Sequence, residues 1–208
     1  MAQVIKVHPA NPQQRAIAAA VDVLRAGGVM AYPTDSSYAL GCLAGDTAAM
    51  ERIRVIRRSD KHHNMTLVCR DLAEIATYAR VDNPTYRLLR AHTPGPYTFI
   101  LPATREVPRR LQHTKRRTIG IRVPGVAVVN ALLDELASPL LSSTLLLPGE
   151  SVPLNTAEEI EARIGNQIEV IVDAGPCGLE PTTVVVCEAN GLAIARYGKG
   201  DPAPFEHR

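Results

Sequence analysis

Residues 32–41 have the sequence Tyr-Pro-Thr-Asp-Ser-Ser-Tyr-Ala-Leu-Gly, in which polar side chains directly follow a predicted strand. Residues 28–32 are apolar and begin with a glycine, which is typical of a buried strand. Pro33 ends this strand because it lacks a backbone donor. In α/β proteins, ligands bind at such strand ends, where hydroxyls and free amides converge. The same side chains also suit an ordinary turn, and spacing alone leaves both interpretations open.

Strands and helices alternate along the rest of the chain. Predicted strands cover residues 28–32, 38–41, 65–69, 97–101, 118–123, 140–143, 168–173, 183–187 and 192–196. Predicted helices begin at N-caps Asn11 and Thr47, at the capping boxes Asp71-x-x-Glu74 and Thr156-x-x-Glu159, and at Asn83-Pro84, and a further helix spans residues 126–137. The alternation predicts an α/β (or α+β) fold with one mixed sheet. No Pro/Gly-rich linker divides the chain, so we expect a single domain over residues 1–208 with its core at about 11–198.

Composition favours a globular protein of the cytoplasm. Of the 208 residues, 46% are hydrophobic and 21% charged. The four cysteines form no Cys-x-x-Cys pair, which argues against structural zinc and for a reducing compartment. No signal-peptide or membrane-spanning pattern occurs, so we expect no membrane partner. Phosphate-loop, dinucleotide and His-Glu-x-x-His motifs are also absent, and we expect no zinc, haem or flavin.

The charge is distributed unevenly. Residues 1–122 contain 19 Lys/Arg and 9 Asp/Glu, whereas residues 123–208 contain 4 and 12. The predicted polyanion-binding side chains fall in two segments and are Arg54, Arg58 and Lys61 in the first and Arg109, Arg110, Lys115, Arg116 and Arg117 in the second. Such asymmetry indicates a face that binds a polyanion such as RNA. Solvated helix faces would give the same pattern at either segment taken alone.

Arginines and hydroxyls occur together at predicted strand and helix ends. Arg57, Arg122 and Arg196 each lie at or just beyond such an end. The accompanying hydroxyls belong to Thr34, Ser36, Ser37, Thr98, Thr182 and Thr183. Guanidinium groups bind phosphate bidentately and hydroxyls fix orientation. This set predicts ATP or another phosphate-bearing ligand, with Asp35 or Asp173 available for Mg²⁺. Each arginine taken singly also suits an ordinary surface ion pair.

Five segments in register resemble the YrdC/YciO family, and most closely its YciO branch. Residues 32–41 are similar to the family's Tyr-Pro-Thr-Glu/Asp-Thr-x-Tyr-Gly-Leu-Gly signature, with Ala39 in place of the first glycine. The other segments are residues 94–101 (Pro-Gly-Pro-Tyr-Thr-Phe-Ile-Leu), 118–124 (Thr-Ile-Gly-Ile-Arg-Val-Pro), 173–177 (Asp-Ala-Gly-Pro-Cys) and 182–185 (Thr-Thr-Val-Val). The resemblance implies a single twisted mixed sheet flanked by helices, with a concave basic cavity.

The resemblance also implies a chemistry. Enzymes of this family are L-threonylcarbamoyladenylate synthases, which use L-threonine, bicarbonate and ATP in the tRNA modification at adenosine 37. Thr34 and Arg57 would then be catalytic, with Thr34 on the amino-acid side. Arg57, Arg122, Thr182, Thr183 and Arg196 would contact the nucleotide, and Thr34, Ser36, Ser37, Tyr38 and Ser143 would form the substrate pocket. The family's fold is also associated with double-stranded RNA binding, which depends on shape and phosphates.

Two synthase motifs are altered in this chain. A Lys-x-Arg element of the synthases matches Val55-Ile56-Arg57, so the lysine is missing. A Ser-x-Asn element matches Thr144-Leu145-Leu146, so leucine replaces the asparagine. Three hypotheses follow. The first is an active synthase, and the second is a protein that binds nucleotide and double-stranded or structured RNA (tRNA or rRNA) with weak or altered synthase activity. The third is a nucleotide hydrolase, and we favour the second.

Overall fold

The computed structural model describes residues 1–58, 65–188 and 191–206, apart from the side chain of Glu188. Within these ranges the strands are β1 (Gln3–Lys6), β2 (Met30–Tyr32), β3 (Ala39–Leu43), β4 (Thr66–Val68), β5 (Tyr97–Pro102), β6 (Thr118–Arg122), β7 (Leu140–Thr144), β8 (Val170–Asp173), β9 (Thr183–Glu188) and β10 (Gly191–Arg196). The helices are α1 (Gln14–Arg25), α2 (Thr47–Arg57), α3 (Leu72–Tyr78), α4 (Asn83–His92), α5 (Ala127–Leu136) and α6 (Ala157–Ile164).

The strands form one sheet in the order β1-β8-β2-β3-β7-β4-β6-β5-β9-β10. Parallel pairs (β1/β8, β2/β8, β4/β6, β5/β9) occur beside antiparallel ones such as β2/β3 and β5/β6. The predicted fold class, one mixed sheet flanked by helices, is therefore confirmed. One strand, β1, was not predicted, and it is a short strand at the edge of the sheet.

Local signals explain where the helices begin and end. Both predicted capping boxes are confirmed, since Asp71 accepts from the Glu74 amide at 2.8 Å and Thr156 from the Glu159 amide at 3.2 Å. Two predicted N-caps were wrong by one or two residues, since the observed N-caps are Gln13 and Asp46, where we expected Asn11 and Thr47. The predicted opening of a helix at Asn83-Pro84 is confirmed, with Asp82 as its N-cap. At Asp46 and Asp82 a carboxylate binds the helix amides directly, and it is a strong cap.

Alternate strand residues pack into two apolar layers on opposite faces of the sheet. Met30, Val68 and Leu140 pack with α1 and α5, whereas their neighbours in the same strands, such as Ala31 and Leu67, face the other helices. No helix in the described part of the chain is long and apolar enough to cross a membrane. The α1/α5 layer covers only part of its face, which leaves room for a cavity.

Candidate functional site

A cavity of about 450 Å³ lies on the face of the sheet that α1 and α5 cover in part. Its floor includes one cross-strand row, namely Ser142 (β7), Thr66 (β4), Gly120 (β6), Ile100 (β5) and Val186 (β9). Thr66 and Ser142 lie two residues from Val68 and Leu140 in the same strands, so all four face the α1/α5 side. The open part of this face is thus the cavity floor.

The lining combines cations with hydroxyls. Arg57, Arg116, Arg122 and Arg196 line the cavity together with ten Ser or Thr residues. None of the described lining residues is Asp or Glu. Guanidinium groups and hydroxyls without carboxylates are suited to bind an anion, and phosphate above all. The predicted basic cavity is therefore present in the structure.

Arg57, at the end of α2, points into the cavity across β7. Its guanidinium donates to the Ser143 hydroxyl and, at 3.4 Å, to the Leu146 carbonyl. Burial lowers the pKa of Arg57, and the nearby charge of Arg196 lowers it further. An anion bound between these two arginines would relieve their repulsion.

Arg196, at the end of β10, is fixed from the β9 side. Its Nε and Nη2 donate to the Thr182 carbonyl at 3.0 and 2.9 Å, and Nη2 also reaches the Thr182 hydroxyl at 2.9 Å. That hydroxyl is 2.8 Å from the hydroxyl of Thr98. Partial burial and then the charge of Arg122 lower the pKa of Arg196. The positive groups of Arg57, Arg196 and Arg122 thus form one cluster.

The loop after β2 is both a turn and part of the lining. The Thr34 hydroxyl donates to the Ser37 carbonyl at 2.6 Å and accepts from the Ser36 and Ser37 amides at 3.2 Å each. Thr34 and Ser37 nevertheless line the cavity. The two interpretations of this segment are therefore compatible, because the hydroxyls that build the turn also face the cavity.

Asp35 extends from this loop to Arg122 rather than into the cavity. Its Oδ1 accepts from Arg122 Nη2, and its Oδ2 accepts from the Gly125 amide at 3.1 Å. The other terminal nitrogen of Arg122 lies 3.4 Å from the Ser36 hydroxyl. Arg122 Nε is buried and has no hydrogen-bond partner among the described residues. Asp35 thus orients a guanidinium that lines the cavity.

The predicted nucleotide and substrate residues separate into two groups. Those that line the cavity are Thr34, Ser37, Arg57, Arg122, Ser143, Thr182 and Arg196. Ser36, Tyr38 and Thr183 lie behind it. Tyr38 donates to the Gly175 carbonyl at 3.0 Å, and Thr183 donates to the Gly200 carbonyl at 2.6 Å. Burial raises the pKa of Tyr38 strongly, so its hydroxyl stays protonated. These three residues support the lining.

The second predicted basic segment contacts the start of α2 and lines part of the cavity. Arg110 donates to the Gly45 carbonyl just before α2, at 2.8 Å, and Arg116 lines the cavity together with Arg57. The exposed members are Arg58, Arg109, Arg110, Lys115, Arg116 and Arg117. Arg54 is different, because its side chain is only 17% exposed and pairs with Glu51 at 3.3 Å. Lys61 lies outside the described residues.

Several lining residues were not predicted from the sequence. Ile100, Val184 and Val186 form an apolar part of the floor, and Gly120 lies in its centre. The available signal was the alternation in the predicted strands, which places Ile100 on the side of Thr98, and Val184 and Val186 on the side of Thr182. Gly120 has no side chain to contribute to a motif, so only the register of β5 and β6 reveals its role.

The two altered synthase positions differ in their location. Val55 is 66% exposed and does not line the cavity. Leu146 does line it, close to Arg57. The leucine therefore changes the chemistry of the cavity wall directly, whereas a side chain at position 55 would have to extend from the surface of α2 to reach it.

Comparison with known proteins adds an independent line of evidence. A family model for Sua5, YciO and YrdC, described as telomere recombination, matches residues 22–198. The chain is 50% identical over 205 residues to YciO of Escherichia coli K12, an uncharacterized protein, and this covers 99% of the chain and 100% of that protein. The crystal structure of E. coli YciO superposes with a TM-score of 0.95 over 99% of this chain and 100% of that one.

More distant relatives include an enzyme. The threonylcarbamoyl-AMP synthase of Vibrio vulnificus is 30% identical over 155 residues, which is 73% of this chain and 82% of the synthase. The P. abyssi Sua5 structure in complex with L-threonine has a TM-score of 0.86 at 23% identity, covering 94% of this chain and 57% of that one. At that identity the match establishes a shared fold.

Proposed function

Since the chain belongs to the Sua5, YciO and YrdC family, we propose that it binds a nucleotide, ATP or AMP, in the arginine-lined cavity. The observation that carries this proposal is the lining itself, which holds four arginines and, among the described residues, no carboxylate. A volume of about 450 Å³ suits a small-molecule ligand. Phosphate is the anion that guanidinium groups bind with the best geometry.

The cavity has a positively charged part and an apolar part, which would suit the two halves of a nucleotide. Phosphates would lie against the cluster of Arg57, Arg122 and Arg196, where burial and then the neighbouring charges lower the pKa values of Arg57 and Arg196. The base would lie over the apolar floor around Ile100 and Val184.

Weak or altered synthase activity would follow from the same geometry. In the synthase reaction, a carboxylate oxygen of N-carboxythreonine attacks the α-phosphorus of ATP. The bond to the β-phosphate oxygen breaks, and pyrophosphate leaves with the electron pair. The arginine cluster would stabilise the added charge, and Thr34 and Ser143 would contact the amino acid. At position 146 this chain has leucine where the synthases have asparagine, so the wall lacks that side-chain amide. We therefore expect a slow reaction.

The binding proposal is tested by calorimetric titration of ATP and AMP. We expect Arg57→Ala and Arg196→Ala to weaken binding about 10- to 100-fold each, since each removes a charge-assisted contact. Arg87→Ala is the matched control, because Arg87 is exposed on α4 and is not part of the cavity. Equal affinities for all three variants would refute the proposal.

The catalytic part is tested separately. The protein is incubated with L-threonine, bicarbonate and ATP, and threonylcarbamoyl-AMP and pyrophosphate are measured. Slow formation is the expected result. Formation at ordinary enzymatic rates would favour the alternative, an active synthase that supplies the modification of tRNA adenosine 37. Release of ADP or AMP without the threonine adduct would indicate a hydrolase instead.

Binding of double-stranded or structured RNA is a second candidate function, and one observation favours it. Exposed basic side chains of residues 109–117 lie beside the cavity, since Arg110 donates to the Gly45 carbonyl just before α2 and Arg116 lines the cavity that Arg57 also lines. Such a surface contacts phosphates, so affinity should fall steeply with salt and survive scrambling of the RNA sequence. Affinity that does not change with salt would exclude this mode of binding.

A further inference from the structure

The family resemblance implies Mg²⁺ with the nucleotide, and the donor atoms around the cavity can be compared with what that ion requires. Mg²⁺ in nucleotide sites is held by one or two carboxylates together with the phosphates. Asp35 is an acidic residue in contact with a lining arginine. Both of its oxygens are already engaged, by Arg122 and by the Gly125 amide, and its side chain is only 15% exposed. Asp35 is therefore unsuited to bind the ion.

The second predicted metal ligand lies elsewhere. Asp173 ends β8 and accepts from the Gly175 amide at 2.9 Å. It borders a different pocket, between Lys6 and the start of α6. Among the described residues there is no group of three or more His, Cys, Asp or Glu side chains that could hold a metal ion. The side-chain oxygen donors that remain on the described cavity wall are hydroxyls, which are weak Mg²⁺ ligands without a carboxylate beside them.

The charges of the cavity also disfavour a cation. Three guanidinium groups lie close enough to affect one another. Asp35 balances the charge of Arg122, and a divalent cation would still be repelled by Arg57 and Arg196. A metal-free nucleotide carries more negative charge than its Mg²⁺ complex and would offset the arginines better. The donor set and the charge therefore lead to the same conclusion.

We propose that this cavity takes its nucleotide without Mg²⁺, with Arg57, Arg122 and Arg196 providing the positive charge that the metal provides elsewhere. The inference rests on the proposed nucleotide binding and specifies its ligand as the uncomplexed anion. The inference also predicts that Mg²⁺ affects the binding of ATP and of AMP differently. ATP chelates Mg²⁺ strongly through its polyphosphate, so the ion should reduce ATP binding, whereas AMP chelates it weakly and should be little affected.

The experiment is a calorimetric titration of ATP and of AMP, each in EDTA and in excess Mg²⁺ at matched ionic strength. We expect ATP to bind roughly three- to tenfold more tightly in EDTA, because bound Mg²⁺ cancels two of its negative charges. The affinity for AMP should differ less than about twofold between the two buffers. ATP binding that is tighter with Mg²⁺ would overturn the inference and leave nucleotide binding intact. Absence of binding in both buffers would overturn both proposals.

The side chains of Asp60 and Glu188 are the acidic side chains that the structure does not describe. Variants of these two residues test whether either one binds the ion. The variants Asp60→Asn and Glu188→Gln are titrated in the same two buffers. If neither residue holds the ion, the ratio of the two ATP affinities stays as in the unmodified protein. A ratio that changes by more than about threefold in either variant would identify a carboxylate that binds the metal, and would overturn the inference.

Discussion

Asp35 and Arg122 form a buried ion pair that joins the loop after β2 to the end of β6. Their side chains are 15% and 9% exposed, respectively. The pair is supported on both sides, since Asp35 also accepts from the Gly125 amide and Arg122 also contacts the Ser36 hydroxyl. Because Arg122 lines the cavity, this contact fixes a cavity-lining guanidinium group and the loop after β2 relative to each other.

The first prediction concerns the stability of this pair. Asp35→Ala leaves a buried guanidinium without its counter-charge, and Arg122→Ala leaves a buried carboxylate. We expect each to lower the free energy of unfolding by about 3–5 kcal/mol, and the double variant to cost clearly less than the sum. Urea denaturation of the four proteins measures this coupling. Strict additivity would show that the two side chains do not stabilise each other.

The second prediction concerns the cavity floor. A Cβ at Gly120 would lie 3.2 Å from Thr66 Oγ1 and 3.4 Å from Thr98 Cγ2, so a larger side chain must extend into the cavity. We expect Gly120→Val to weaken ATP binding at least about tenfold, with a cost in stability of about 1–3 kcal/mol.

Gly45→Val is the matched control, because a Cβ at Gly45 meets nothing within 4 Å. Calorimetry should show ATP affinity close to that of the unmodified protein for this variant. If Gly120→Val also binds ATP normally, the nucleotide does not occupy the floor that Gly120 forms.

The extent to which the sequence predicted this site has a physical explanation. Thr34, Arg57 and Arg196 were identified because each lies at the end of a strand or helix, where side chains of different elements converge. The pairing of Asp35 with Arg122 could not be predicted, since 87 residues separate them and the strand order β2-β3-β7-β4-β6 is what brings them together. The expectation that Asp35 was available for Mg²⁺ was made without knowledge of this contact, which engages the carboxylate.

The third prediction concerns the altered synthase positions. Leu146 lines the cavity, whereas Val55 is exposed outside it. We therefore expect Leu146→Asn to raise threonylcarbamoyl-AMP formation more than Val55→Lys, and the double variant to gain roughly 10²–10³-fold, the size of effect that one or two polar contacts to the transition state produce. Rates are measured with saturating ATP, L-threonine and bicarbonate. If the double variant forms product at the original rate, other residues limit the reaction.

The fourth prediction concerns stability at high pH. Burial raises the pKa of Cys42 to about 12 from its ordinary 9.0. Above pH 9 the unfolded thiol loses its proton while the folded one keeps it, so this residue destabilises the folded state progressively as the pH rises from 9 towards 12. Cys42→Ala removes this effect. Between pH 9 and 11 its free energy of unfolding should fall by about 1–2 kcal/mol less than that of the unmodified protein.

The control for this prediction is the same pair of proteins at lower pH. Below pH 8 the Cys42 thiol is protonated in both the folded and the unfolded protein. The difference in free energy of unfolding between the two proteins should therefore be constant there and reflect only the lost packing of Cys42. Urea denaturation at several pH values gives both quantities. Parallel curves from pH 7 to 11 would contradict the proposed cause.

The fifth prediction uses Arg117, which has a left-handed backbone conformation with φ of +52°. Its amide donates to the His113 carbonyl at 2.8 Å, and its carbonyl accepts from the Ala103 amide at 2.9 Å, so the backbone holds this conformation whatever the side chain. Arg117→Gly should raise the free energy of unfolding by up to about 1 kcal/mol, because glycine adopts positive φ without strain. Arg117→Ala should not raise the free energy of unfolding.

Both variants should weaken binding of double-stranded RNA to the same extent, and each should lower the slope of log affinity against log salt concentration by about one. Binding that follows stability instead, with Gly tighter than Ala, would show that Arg117 shapes the loop and does not contact the phosphates.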